Sequence, residues 1–333
     1  MRIVIIGAGP AGSACAISVL KAGYEVTLID RVSFPRHAPG ETLHPGVEPL
    51  LKELGVLDEV LCSNFLRHHG IENIRDGYSK YQPYNEDEDW RGFQLSRKEF
   101  DTILVNRAIK LGADFYRGVK PIKVDISNKV ITSLETNVGK FEGDYFIDAT
   151  GKRAWLANNL RIEFKEHSPK WIAYYGYVKN SKFKPSNPKL IWDKKGWTWI
   201  SQINENLVAW VHLNLRQHEK VGKAWIPELL NDGESTGPRK AADVTWRIAE
   251  KCGYKNCFLV GDAAFVLDPG SSHGVLKAIM SGMMIAHLIS RIKLTSLAKI
   301  QEHYDRWMKQ QFLADKRMLN KLYNDYCADL NIA

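Results

Sequence analysis

The stretch that decides the fold is the opening one, MRIVIIGAGPAGSACAISVLKAGYEVTLID, Met1 to Asp30. Arg2 to Ile6 form a short apolar run rich in β-branched residues, the pattern of a buried strand. Gly7, Gly9 and Gly12 then fit G-x-G-x-x-G. Ser13 to Ala22 read as a helix ending near Gly23, and Tyr24 to Ile29 as a second strand. Gly7 permits the tight turn, Gly9 lets the backbone approach a pyrophosphate, and Gly12 lets the helix pack close to the sheet. Pro10 and Ala11 belong to the same turn and count among its contacts. The helix N-terminus supplies free N–H groups and a positive dipole end for phosphate. Asp30 ends the second strand, where a carboxylate can accept hydrogen bonds from ribose hydroxyls; Arg31 follows it. This β-α-β unit predicts a Rossmann-like dinucleotide-binding domain in a protein of the α/β class.

The rest of the composition narrows the class. The chain has 333 residues, enough for two layers around an extensive core. No run of about 18 apolar residues exists, so no membrane span is expected. The glycine-rich start is not that of a signal peptide, and the expected location is the cytoplasm. Five cysteines, Cys15, Cys62, Cys252, Cys257 and Cys327, are an odd number in a large chain. Reduced, mostly packed thiols are expected, with neither a disulfide framework nor a zinc site. The net charge of +8 comes from scattered lysines and arginines with no nucleic-acid module, so it reads as a solubility feature.

Further elements follow by pattern. A loop rich in proline and glycine spans Phe34 to Pro49, and a short helix runs from Glu48 to Leu54. Phe100, Leu104, Ala108 and Leu111 fall at helical spacing in a segment that starts near Arg97. Val124 to Phe146 alternate like a strand meander. Trp171 to Val178 and Lys189 to Leu213 read as longer strands, rich in aromatics, of a second sheet. Phe258 to Val260 form a short buried strand. Gly274 to Leu294 read as a long helix and Ser296 to Tyr323 as a final amphipathic one. His68 and His69 are adjacent in a strand, so they face opposite sides and do not make a metal site.

Three later segments choose between dinucleotides by resemblance. Gly261-Asp262-Ala263-Ala264, followed by Asp268-Pro269 and Gly274-Val275, resembles the second FAD fingerprint of the para-hydroxybenzoate hydroxylase-like flavoproteins. Ala149-Thr150-Gly151 resembles their middle motif, and Arg97 with Asp101 their arginine segment along the FAD. The resemblance implies FAD, with Asp262 on the ribityl chain and Pro269 near the flavin ring. It also implies the next helix, opening at Gly274 and Val275, aimed at the pyrimidine end. Gly40-Glu41-Thr42-Leu43-His44-Pro45-Gly46 resembles the loop of the halogenase-like group, with Glu41 and Thr42 structuring the flavin loop. Gly196-Trp197-Thr198-Trp199-Ile200 resembles that group's Gly-Trp-x-Trp-x-Ile-Pro element, although the proline is absent. Halogenases also carry a catalytic lysine after the first loop, and the comparable stretch here, Phe65 to Ile71, has none. Asp243 to Lys277 is similar to the flavoprotein maturases of tryptophylquinone-containing amine oxidases and dehydrogenases.

The resemblance implies a discontinuous FAD-binding domain of residues 1–62, 95–160 and 245–295. An inserted antiparallel β-sheet substrate domain would take residues 63–94 and 161–244, and a C-terminal helical segment residues 296–333. The implied reaction is hydroxylation of an electron-rich aromatic ring through a flavin C4a-hydroperoxide. The substrate is an aromatic small molecule or a tryptophan of a partner polypeptide. Electrons come from NAD(P)H or a partner flavin reductase, and no second G-x-G-x-x-G marks a dedicated NAD(P)H domain. The candidate acid–base residues are His273 and His44, since imidazole titrates near neutrality; each can equally be a loop histidine bonded to backbone. Trp197, Trp199, Tyr174 and Tyr175 are candidates for an aromatic pocket, with sheet packing the plain alternative. Reduction of an alkene or prenyl substrate, halogenation, and a non-catalytic flavoprotein partner stand beside hydroxylation.

Overall fold

The computed structural model describes residues 1–36, 38–87, 89–215 and 221–326. Its first layer is a six-stranded sheet. In spatial order its strands are Gly253–Tyr254, Cys257–Leu259, Tyr145–Asp148, Arg2–Ile6, Glu25–Asp30 and Asp114–Arg117. All neighbours run parallel except the edge pair, Gly253–Tyr254 with Cys257–Leu259. A parallel strand covered on both faces needs apolar residues at successive positions rather than alternate ones. Ile3 to Ile6 meet that need, each at most 2% exposed.

Four longer helices matter for the site: α1 (Pro10–Lys21), α2 (Arg97–Lys110), α3 (Gly274–Ile289) and α4 (Leu297–Tyr326). Helix α1 crosses α3 at backbone contact. A Cβ on Gly282 of α3 would fall 2.3 Å from the carbonyl oxygen of Ala11. On the sheet side of α1, a Cβ on Gly12 would fall 1.9 Å from the carbonyl oxygen of Gly7. The third glycine of the motif is therefore a packing residue.

The second layer is an eight-stranded sheet built mainly from Gly70–Arg75, Tyr78–Pro83, Ile172–Lys179, Lys189–Trp192, Gly196–Asn204 and Leu207–Asn214. Its pairings are antiparallel except that Lys189–Trp192 runs parallel to Gly70–Arg75. That one join unites the two chain segments assigned to the substrate domain.

Strand pairing and helix packing run across the expected boundaries in three places. Leu66–His68 pairs with Gly92–Gln94, which pairs with Thr42–Leu43, so these strands belong with the flavin loop rather than the large sheet. Phe164–Glu166 pairs with Arg247–Ala249, which pairs with Phe265–Val266, a small sheet bridging the two layers. Helix α4, the expected C-terminal helical segment, packs on both layers. Its Ile300, Tyr304, Met308 and Phe312 complete the core of the dinucleotide domain, while Leu319 and Tyr323 are buried among Trp171, Trp192, Trp197 and Trp246 of the second layer.

Cys15, Cys252 and Cys257 are buried free thiols, Cys62 is exposed, and Cys327 lies outside the described residues. Among the described residues, no helix is long and apolar enough to cross a membrane.

Candidate active site

A cavity of about 510 Å³ lies between the two layers, a volume in the usual range for cofactor and ligand sites. The glycine turn forms one wall. Gly7 has φ +105°, and a Cβ on it would fall 2.3 Å from the carbonyl oxygen of Ala149. The first and middle motifs therefore touch backbone to backbone. Asp148 braces that contact from below, accepting from Thr150 N–H at 3.0 Å, Thr150 Oγ1 at 2.6 Å and Leu156 N–H at 2.7 Å.

Helix α1 starts at the cavity with no side-chain cap, so its first N–H groups are left for a ligand. Asp30 lines the same wall; Oδ2 accepts from Ala8 N–H at 2.8 Å and Oδ1 from Val32 N–H at 2.9 Å. Each carboxylate oxygen accepts more than one hydrogen bond, so ribose hydroxyls still fit there. Arg31, Pro10 and Ala11 line the cavity beside it. A bare-backbone cradle, free helix N–H groups and a carboxylate at the strand end match the donors and acceptors of a dinucleotide.

The loop after the second strand is held from both layers. Glu41 is buried and accepts from Gly40 N–H at 2.8 Å and from the Tyr177 hydroxyl of the second sheet. Burial pushes its carboxyl above the ordinary value. Trp199 Nε1 donates to Thr42 Oγ1 at 3.3 Å. Arg97 lines the cavity, but its guanidinium is engaged elsewhere. It donates to both oxygens of Asp101, at 2.8 and 3.2 Å, and to the carbonyl of Pro39 at 2.8 Å. Arg97 thus clamps the loop onto α2.

Gly261, Asp262, Pro269, Gly274 and Val275 line the same cavity, with Gly261 packed against Ala11 of the glycine turn. Asp268 is fully buried beneath it, accepting from Gly270 N–H at 2.9 Å and Trp246 Nε1 at 2.6 Å. Burial raises its pKa to about 6.

The histidines separate. His273 lines the cavity, and its Nδ1 lies 3.3 Å from Asp315 Oδ1 of α4. Lys277 Nζ lies 3.3 Å from the same oxygen and donates to Gln311 Oε1 at 2.8 Å. His44 stands behind His273, ring to ring at 4.8 Å, and is not a cavity residue. Its Nδ1 accepts from Gly46 N–H at 3.0 Å, which leaves the proton on Nε2. Burial, then the charge of His273, lowers its pKa to about 4. His44 backs the wall behind His273 and does not itself line the cavity.

The aromatic candidates also divide. Tyr175 and Trp199 line the cavity. Tyr174 faces the other side of the strand, under the Arg239 guanidinium at 4.0 Å, as alternation requires. Trp197 shares the face of Trp199, but α4 covers it, and its Nε1 donates to Tyr323 Oη at 2.8 Å. His68 is fully buried against Tyr84, and no group of three metal-ligating side chains occurs among the described residues. Sequence reading missed Lys152 and Asp315 of the cavity wall. Lys152 had a signal, since it follows the middle motif directly; Asp315 sits on an amphipathic helix with no motif around it.

The profile of the FAD binding domain family matches residues 1–225. The chain belongs to that family. FAD is accordingly the dinucleotide of this cradle. The chain is 26% identical over 343 residues to a tryptophan 2-halogenase of Chondromyces crocatus, covering 94% of this chain and 66% of that protein. It therefore spans a little under two thirds of that relative's length. It is 24% identical over 386 residues to the 1H-pyrrole-2-carbonyl-(peptidyl-carrier protein) chlorinase of Pseudomonas fluorescens, covering 98% and 86%. Among solved structures, the myxobacterial chondrochloren halogenase superposes with a TM-score of 0.88 at 22% identity, covering 97% of this chain and 82% of that one. The chain has the fold of the FAD-dependent oxidoreductases, with its C-terminal helix included.

Proposed function

We propose that this FAD-binding protein is an enzyme that modifies an electron-rich aromatic ring, and that halogenation is its leading reaction. The observation that carries this reading is a cofactor cradle opening directly on Tyr175 and Trp199, in a chain similar over most of its length to halogenases of tryptophan and of a carrier-bound pyrrole. FAD, when bound and reduced, supplies the activation of dioxygen.

The chain's own residues hold the reactants and move the proton. Ala173, Tyr175, Trp199, Val211 and Val244 give a ring an apolar, water-excluding wall. Electrophilic substitution on an aromatic ring releases a proton. With Nδ1–H directed at Asp315, His273 keeps a lone pair on Nε2 to take it. Electrons for the flavin come from NAD(P)H or, since the chain has one G-x-G-x-x-G only, from a partner flavin reductase.

Hydroxylation is the second reading, and His68 favours it. The stretch Phe65 to Ile71 holds no lysine, and His68 within it is fully buried and outside the cavity wall. In that reading the substrate is a polypeptide tryptophan, as the motif resemblance of Asp243 to Lys277 to the quinone-cofactor maturases implies. The test is to mix chemically reduced holoenzyme with dioxygen and tryptophan, indole or a tryptophan peptide, with and without chloride or bromide. Product mass is then read. A halogenated ring formed only with halide supports the leading reading. A product heavier by one oxygen, indifferent to halide, moves the assignment to hydroxylation. Reoxidation with no product from any aromatic ring would sink both.

A further inference from the structure

The structure assigns to Lys152 the binding of an anionic oxygen carried by a ring system in the cavity, either the pyrimidine edge of reduced flavin or a carboxylate on the aromatic substrate. The inference rests on the FAD cradle described above, not on which reaction follows.

Lys152 sits in the short turn Gly151–Arg153, directly after the middle motif, and lines the cavity. Its backbone is fixed, because its carbonyl accepts from Arg247 Nη2 at 2.7 Å. Its ammonium has no hydrogen bond and no ion pair among the described residues. The other cavity-lining cations are accounted for. Arg36 and Arg97 both pair with Asp101, and Lys277 pairs with Asp315. Arg31 and Arg153 are exposed to solvent. Among these cavity-lining cations, Lys152 alone is half-buried with neither an ion pair nor a hydrogen bond to its ammonium among the described residues.

Shielding an ammonium without a direct partner is costly, since carboxylates at a distance replace only part of the water it loses. Burial accordingly lowers the pKa of Lys152, against the opposing pull of Asp262, Asp243 and Asp268 nearby. The cavity lining and the backbone bond to Arg247 locate the residue. Asp262 and Asp268 belong to the cofactor wall, and Asp243 ends the strand Lys240–Asp243 of the second sheet. Lys152 therefore stands where the cofactor wall meets the substrate sheet, and its missing partner belongs to whatever ring lies between them. An ammonium offers charge and three donors, which suits a charged oxygen rather than an apolar edge.

The test uses holoenzyme and two variants, Lys152→Met and Lys152→Arg, and needs no turnover. The midpoint potential of bound FAD is measured without substrate, and affinities are measured for indole and indole-3-carboxylate. If the flavin is the source, Lys152→Met weakens binding of reduced relative to oxidised FAD about tenfold, a fall of about 30 mV for two electrons. If the substrate is the source, Lys152→Met loses a preference of about tenfold for the carboxylate, worth about 1.4 kcal/mol. Lys152→Arg, which keeps the charge, retains the property in either case. A Lys152→Met protein with unchanged potential and unchanged preference overturns the inference. Should that variant fail to hold FAD, ¹³C-dimethylation of the lysines reads the same amine without removing it. The Lys152 signal, identified by its absence in Lys152→Arg, must then move on flavin reduction or on addition of indole-3-carboxylate. A signal indifferent to both overturns the inference as well. Failure of aromatic modification would appear in the product assay alone, so the two outcomes are separable.

Discussion

At the scale of single residues, burial decides which side chains are chemical and which are structural. His273 and His44 touch ring to ring, yet only His273 lines the cavity, with a carboxylate from α4 on its Nδ1. His68 carries the consequence furthest. It is fully buried, and burial lowers its pKa from 6.5 to about 4. An imidazole whose folded pKa lies below its unfolded value binds fewer protons when folded. Stability then rises with pH between about 4 and 6.5, and is lost as acid is added through that window. The full extent is about 3 kcal/mol. The glutamine variant His68→Gln should remove the His68 share of this limb and leave that of His44, whose pKa is lowered likewise. Urea unfolding of both proteins at pH 4.5 and pH 7 measures it, and parallel pH profiles would show that buried His68 is not the source.

At the scale of elements, two contacts set the geometry of the cradle. The α1–α3 crossing depends on Gly282, where a Cβ would meet both the carbonyl oxygen of Ala11 at 2.3 Å and the backbone nitrogen of Cys15 at 2.9 Å. Glycine to alanine inside a helix ordinarily stabilises by about 1 kcal/mol. Here the two backbones must separate instead, and overpacking of this kind costs about 1–3 kcal/mol. Gly282→Ala should therefore lower the unfolding midpoint and weaken FAD binding together, because α1 presents its N-terminus to the cofactor. A variant as stable as the parent would show that the helices part freely. The second contact is the flavin loop, fixed to the other layer by Glu41 with Tyr177 and by Thr42 with Trp199. Closing the site is thus a matter of joining two sheets through one loop.

For the molecule as a whole, α4 completes two cores and supplies Asp315 to the cavity between them. The two layers should unfold in one transition, and FAD, which binds only the folded cradle, should raise its midpoint. At a free concentration of about 100 times Kd the gain is about 2.7 kcal/mol. Calorimetry with rising FAD tests this; two separate transitions, or a midpoint indifferent to FAD, would contradict it. The sequence by itself determined the dinucleotide unit, because a buried parallel strand, a glycine turn and a terminal carboxylate are local features within Met1 to Asp30. It determined the later cofactor motifs for the same reason, each being a short run whose backbone shape depends on its own glycines and proline. Only the tertiary structure decided which aromatics face the ligand, since Trp197 and Trp199 share a face and differ by what α4 covers. It alone brought Asp315 of α4 to His273, which precedes α3 and lies 42 positions away in the chain. It alone showed Lys152 without a partner among the described residues, because the lack of a contact depends on every chain segment around the cavity, and no local pattern encodes that.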